Sequence, residues 1–172
     1  MTRGLALGDL WDHHWCATAE AGTARIAERA SEVADAFRRQ GGAVIRAPSD
    51  TMAFYANHSG RHYVLSLPTP DPGPVPAPIV RPALKPSPSP RCVDSPACRD
   101  PGGAPWPWSR QHPAIRIHDD DAVLDQSEEF LAVAADRQLT EVYMAGVHTN
   151  MCVLDRHLAS RRWSPPGCPA HL

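Results

Sequence analysis

Hydrophobic positions along the chain change period several times, and the changes mark out alternating strands and helices. Gly4-Leu-Ala-Leu-Gly-Asp9 is a short apolar run ending on a carboxylate, and it reads as a buried strand. Leu10-Trp-Asp-His-His-Trp-Cys16 is a polar and aromatic loop. From Ala17 to Gln40 the period is helical, with Ile26, Ala30, Val33 and Phe37 on one face and Glu and Arg on the other. Gly41-Gly42 stops that helix. Ala43-Val-Ile-Arg-Ala47 is a second strand, and Pro48-Ser-Asp50 offers a turn and an N-cap for a short helix near Thr51 to Asn57. Ala114-Ile-Arg-Ile-His118 is a third strand candidate. Asp125, with Glu128 three residues on, starts a helix that runs to about Gln138. Glu141 to Gly146 is a fourth strand, followed by a helix from Met151 to about Arg161.

The order is β-α-β-(α)-insert-β-α-β-α. Strands alternating with helices imply an α/β fold with a parallel sheet and right-handed crossovers. In such sheets ligands bind beyond the carboxyl ends of the strands. The insert is a break in all periodicity over residues 68 to 107, where 14 of the chain's 19 prolines lie. Proline alternating with small residues reads as a polyproline II or disordered segment within one domain that spans 1–172.

Composition removes several classes of function. Net charge is −2 with no basic block, which gives no case for nucleic acid or an anionic membrane. No apolar run approaches the roughly 20 residues that span a bilayer, and no signal-like segment opens the chain, so a cytoplasmic location is expected. Five cysteines (Cys16, Cys92, Cys98, Cys152 and Cys168) contain no CxxC pair, so neither a zinc site nor a disulfide scaffold is supported.

The chemistry concentrates at Glu141-Val-Tyr-Met-Ala-Gly-Val-His-Thr-Asn-Met-Cys152. A thiol here stands where a buried strand gives way to a helix. Unpaired N–H groups and the helix dipole favour thiolate at that position, and the same N–H groups can hold a developing oxyanion. Asp9, at the end of the first strand, is a proton acceptor at the corresponding end of the sheet.

Gly146-Val-His-Thr-Asn-Met-Cys152, Gly8-Asp9-Leu-Trp11 and the spacing between them resemble the cysteine hydrolases of the isochorismatase-like superfamily, which includes nicotinamidases and related amidases. A subgroup is also similar at Asp9-Leu-Trp-Asp-His-His-Trp-Cys16, Ala47-Pro-Ser-Asp-Thr-Met52 and Trp108-Ser-Arg-Gln111. The resemblance covers about residues 5 to 58 and 106 to 156. It implies a three-layer α/β/α fold and an Asp–Lys–Cys triad, with Cys152 as nucleophile and Asp9 as general base. It also implies a non-proline cis peptide at Val147–His148, a conformation that costs about 3–4 kcal/mol. That turn would aim the Met151 and Cys152 N–H groups into one oxyanion hole, with Asn150 shaping it.

The lysine of the triad has no direct counterpart. The one lysine, Lys85, lies in the proline-rich insert. The family position after the third strand falls on His118, and Arg116 shares its strand face two residues earlier. These two are the candidate cations, with Arg110 a further source of permanent charge. Trp11, Trp15, Phe54 and Tyr55 are candidate pocket walls for a planar substrate. Asp50, His58 and His62 lie where nicotinamidases hold a metal, but at a different spacing, so no metal and no cofactor are expected.

Relatives carry two strands after the cysteine helix, whereas here Trp163-Ser-Pro-Pro-Gly ends all periodicity. The 163–172 tail therefore reads as a truncated or frameshifted end, with the C-terminal strands missing. The expectation is a hydrolase of a carboxamide or related C–N bond acting through a cysteine thioester. The alternative is a non-catalytic remnant or binding module of the same fold. The expected partner is a small-molecule substrate, and self-association is usual in relatives.

Overall fold

A computed structural model describes residues 2–68 and 105–147, together with the backbone of Ala170–His171. The elements are β1 (Thr2–Gly8), α1 (Ala17–Arg39), β2 (Ala43–Ala47), α2 (Ser59–Ser66), β3 (Ala122–Val123), α3 (Ser127–Asp136), β4 (Leu139–Gly146) and β5 (Ala170–His171). Every strand pairing among them is parallel. The sheet order is β3-β2-β1-β4-β5, so β1 is central. The chain is an α/β protein with a parallel sheet.

Alternation along the strands assigns side chains to two cores. Ala6, Ala43, Ile45, Ala47 and Val142 join Val64 of α2 and Phe130, Val133 and Ala134 of α3. Leu5, Leu7 and Val44 join Ala27 and Ala34 of α1, with Leu10 and Ile115. β2 is buried along its whole length, Arg46 included, and the Arg46 charge is met by Asp121.

The register of β1 on β4 positions the site. Leu7 pairs with Ala145 and Gly8 with Gly146. A Cβ on Gly146 would stand 2.3 Å from the Gly8 carbonyl oxygen, so the two strands end in a closer approach than a side chain permits.

Four local expectations are corrected. The third strand is Ala122–Val123, not Ala114–His118. Pro113 and the turn after it break the extended run. Ile115 alone is buried there, and Ala122 and Val123 reach β2 instead. The short helix near Thr51 to Asn57 is a series of turns, and the helix begins at Ser59 with the His58 ring as its cap, accepting from the Gly60 N–H at 3.0 Å. Asp50 is left-handed (φ 56°), which excludes it as the N-cap of a helix. The face of α1 is also rotated: Thr23, Ala27, Ser31 and Ala34 are buried, whereas Ile26 and Val33 are 44% and 39% exposed. Small side chains let the helix lie close to the sheet, and that closeness outweighs the apolar area of the larger residues. Finally, α3 starts about two residues late. The Glu129 carboxylate, not that of Glu128, accepts from the Asp125 and Gln126 N–H groups.

Candidate active site

Three loops converge just past the carboxyl end of β1, and buried polar groups tie them together. Asp9 and Leu10 both have φ of 56°. Two successive non-glycine residues in the left-handed region are strained, and such strain collects at functional sites. The turn they make carries the chain sharply off the sheet and leaves Asp9 fully buried.

The Asp9 carboxylate is held from the loop that follows β2. The Ser49 N–H and Oγ–H both donate to its Oδ1, at 2.9 and 2.5 Å. The Asp9 N–H donates to the Ala47 carbonyl at 3.2 Å. Ser49, read from sequence only as part of a turn, is therefore the residue that orients the carboxylate.

The second loop, residues 105–112, lies antiparallel to residues 10–12. Trp11 and Gln111 form a bridge, the Asp12 N–H donates to the Arg110 carbonyl at 3.0 Å, and the His112 N–H donates to the Leu10 carbonyl at 2.7 Å. Gln111 is the central strut. Its side-chain amide donates to the carbonyls of Leu7 (3.1 Å) and Asp9 (3.0 Å), and its N–H donates to the Tyr55 hydroxyl oxygen at 2.8 Å. Burial pushes the Tyr55 hydroxyl above its ordinary 10.0, so it stays protonated at neutral pH. Two buried atoms of this loop, Trp108 Nε1 and Gln111 Oε1, have no hydrogen-bond partner among the described residues.

Asp12 closes the clasp. It accepts from the Ser109 N–H (2.9 Å) and Oγ–H (2.7 Å) and from the Arg110 N–H (3.3 Å). Burial alone would raise its pKa. The Ser109 and Arg110 donors, with His13 nearby, outweigh burial and hold it below the usual 3.8. A carboxylate depressed in the folded state stabilises that state above its unfolded pKa, and the effect is lost as pH falls through the folded value. The clasp is thus intact at neutral pH and loosens below about pH 4. Tryptophan emission should change in that acid range, because Trp108 adjoins Ser109. In Asp12→Asn the change should shrink. An emission profile identical in the variant would sink this assignment.

Above the clasp stands an aromatic stack. Trp11 and Trp108 lie face to face at 4.1 Å, and Trp106 continues the stack on Trp108 at 5.1 Å. Trp15 leans on Trp108 at 5.0 Å, and His14 is 6.0 Å from Trp11. Of the pocket candidates, Trp11 and Trp15 thus enter one cluster, Tyr55 is a buried strut, and Phe54 is 53% exposed. Sequence reading missed Trp106 and Trp108 as their partners, although the Trp-Pro-Trp spacing was visible.

Arg116 and His118 go elsewhere. Both engage Asp35 of α1, Arg116 by a direct ion pair and His118 with its Nε2 at 3.4 Å. The Arg116 hydrogen bond is the main cause holding the Asp35 carboxyl below its usual value. The contacts of both side chains are thus with α1. His58 caps α2, and the His62 Nε2 is 2.9 Å from the Ala56 carbonyl oxygen. Among the described residues no group of three His, Cys, Asp or Glu is placed to hold a metal ion. Among them, too, no helix is long and apolar enough to cross a membrane.

Val147 is partly buried and packs against the core on the α1 side of the sheet. His148, Asn150, Met151 and Cys152 lie outside the described residues, as do Lys85 and most of the proline-rich insert. No protein-family model matches the chain, and no curated protein matches it.

Proposed function

We propose that the chain is a cysteine hydrolase of the isochorismatase-like kind, with three α/β/α layers, acting on a carboxamide or related C–N bond. The observation that carries this reading is the in-register pairing of Gly8 with Gly146. The residues that follow this pair are the buried Asp9 on one strand and Val147, five residues before Cys152, on the other.

In this reading Asp9 holds the proton taken from Cys152, and the thiolate sulfur attacks the carbonyl carbon. The C–N bond breaks as Asp9 returns the proton to the departing nitrogen, leaving a thioester. Water, deprotonated by Asp9, then attacks the thioester and releases the acid and the thiol. Asp9 suits the role because Ser49 holds one of its oxygens and fixes the plane of the carboxylate. Arg116 and His118 take no part, since both engage Asp35.

A thiol activated in this way is largely thiolate below neutrality. At pH 6 Cys152 should react with iodoacetamide at least about tenfold faster than glutathione, whose pKa is near that of a free cysteine. Turnover of a panel of simple amides should disappear in Cys152→Ala. Labelling no faster than glutathione, with no amide turned over, removes the reading.

A further inference from the structure

We infer that α1 is an interaction surface for a second copy of this chain, the two α1 helices packing antiparallel along the row Gly22, Ile26, Arg29, Val33 and Ala36. This inference is independent of the hydrolase reading.

The row recurs at spacings of four, three, four and three residues, which lines it up along one side of a helix. It is not the side that meets the sheet, which is Thr23, Ala27, Ser31 and Ala34. Ile26 and Val33 are the large apolar side chains that α1 leaves exposed. Gly22 lies in the second turn of this 23-residue helix. Glycine is destabilising there relative to alanine. Nothing in the fold of the described residues requires it, since a Cβ would meet only Arg25 Nη2, at an ordinary 3.8 Å. A glycine that its own chain does not need suits a helix closely approached by another.

The row is complementary to itself in one orientation. Antiparallel pairing about a two-fold axis level with Ala27 and Glu28 sets Val33 opposite Gly22 of the second copy, and Ile26 opposite the aliphatic stem of its Arg29. The large side chain at one end fills the gap left by the glycine at the other, twice. The same register brings Arg25 beside Glu32 of the second copy, and Glu32 beside its Arg25. Arg25 is exposed. Glu32 is 59% exposed and gives its Oε2 to Arg29, so its Oε1 can accept from the second copy. Other arrangements lose these two ion pairs. Parallel pairing sets Arg25 against Ala30 and Glu32 against Phe37, and the next antiparallel register sets Glu32 against Glu32. Charge therefore selects both the orientation and the register.

Sedimentation of the full chain between about 1 µM and 1 mM should show a monomer–dimer equilibrium with a Kd on the order of 10 µM, weak because a helix pair is a small interface. Val33→Glu and Arg25→Glu should each weaken association by about tenfold or more. Arg25→Glu combined with Glu32→Arg should restore it to within about threefold of wild type, because each copy then offers the reversed charge to the other. Residues 25, 32 and 33 are exposed in the single chain, so circular dichroism should show all three variants folded. A monomer throughout the range overturns the inference. So does a dimer indifferent to Val33→Glu, which would use another face, and so does a folded charge-reversed variant that fails to recover association.

Discussion

Asp9→Asn should lower amide turnover by about two to four orders of magnitude while the protein stays folded. Asparagine is the informative choice. It retains an oxygen to accept from the Ser49 N–H and hydroxyl, which in the wild type lie 2.9 and 2.5 Å from Asp9 Oδ1. It also tolerates the left-handed backbone at this position, where φ is 56°. Alanine would abolish both bonds and leave the Ser49 donors unsatisfied, confusing a lost proton acceptor with a damaged loop. What asparagine removes is the negative charge and the ability to carry a proton between sulfur and nitrogen. Steady-state kinetics on any amide the wild type hydrolyses, with a thermal melt alongside, gives the answer. Turnover within a few-fold of wild type would mean that Asp9 is a loop anchor and that another group takes the proton.

Asp121→Ala should produce the largest loss of stability, on the order of 3–5 kcal/mol, because it strands a buried cation. The Asp121 carboxylate accepts from Arg38 Nη2 at 2.5 Å and from Arg46 Nε at 2.8 Å. Arg46 is wholly buried under α1, and its remaining bond goes from Nη2 to the Arg116 carbonyl at 2.8 Å. Burial pulls the Arg46 pKa downward, and Asp121 is the principal force in the other direction. Without it the guanidinium faces a low-dielectric interior with one carbonyl for company. A drop in melting temperature of roughly 10 °C or more follows for a chain of this size. The paired change Arg46→Met with Asp121→Leu should be much milder, since apolar residues of similar volume can replace a buried ion pair at little cost. A single variant as stable as wild type would show that water reaches Arg46.

The strands that place Asp9 were legible because their signal is local. Gly4 to Asp9 and Ala43 to Ala47 are short apolar runs flanked by breakers, and both lie where their patterns put them. The aromatic clasp was legible only as separate pieces. Asp12 and Ser109 are far apart in sequence, and no periodicity links a carboxylate in one loop to a hydroxyl in another. The strand expected at Ala114–His118 was misplaced for the same reason. The alternation of Arg116 and His118 suggested a strand, but pairing is decided by what lies opposite, and Asp35 on α1 claims both. The face of α1 was misread because area favours Ile26 and Val33, whereas the spacing to the sheet favours Ala27, Ser31 and Ala34. A sequence shows how much apolar surface a helix owns, not how near its neighbour must come.

The central position of β1 has a consequence for how the polypeptide is made. β1 leaves the ribosome long before β4, one of its two flanking partners, which begins only at Leu139. At ordinary elongation rates the wait is on the order of ten seconds. Throughout it one edge of an apolar strand has no native neighbour, and closing so distant a contact is intrinsically slow. Nascent chains of this protein should therefore depend on chaperones until translation passes Gly146, and the junction that brings Asp9 beside the β4 turn should be among the last parts to form.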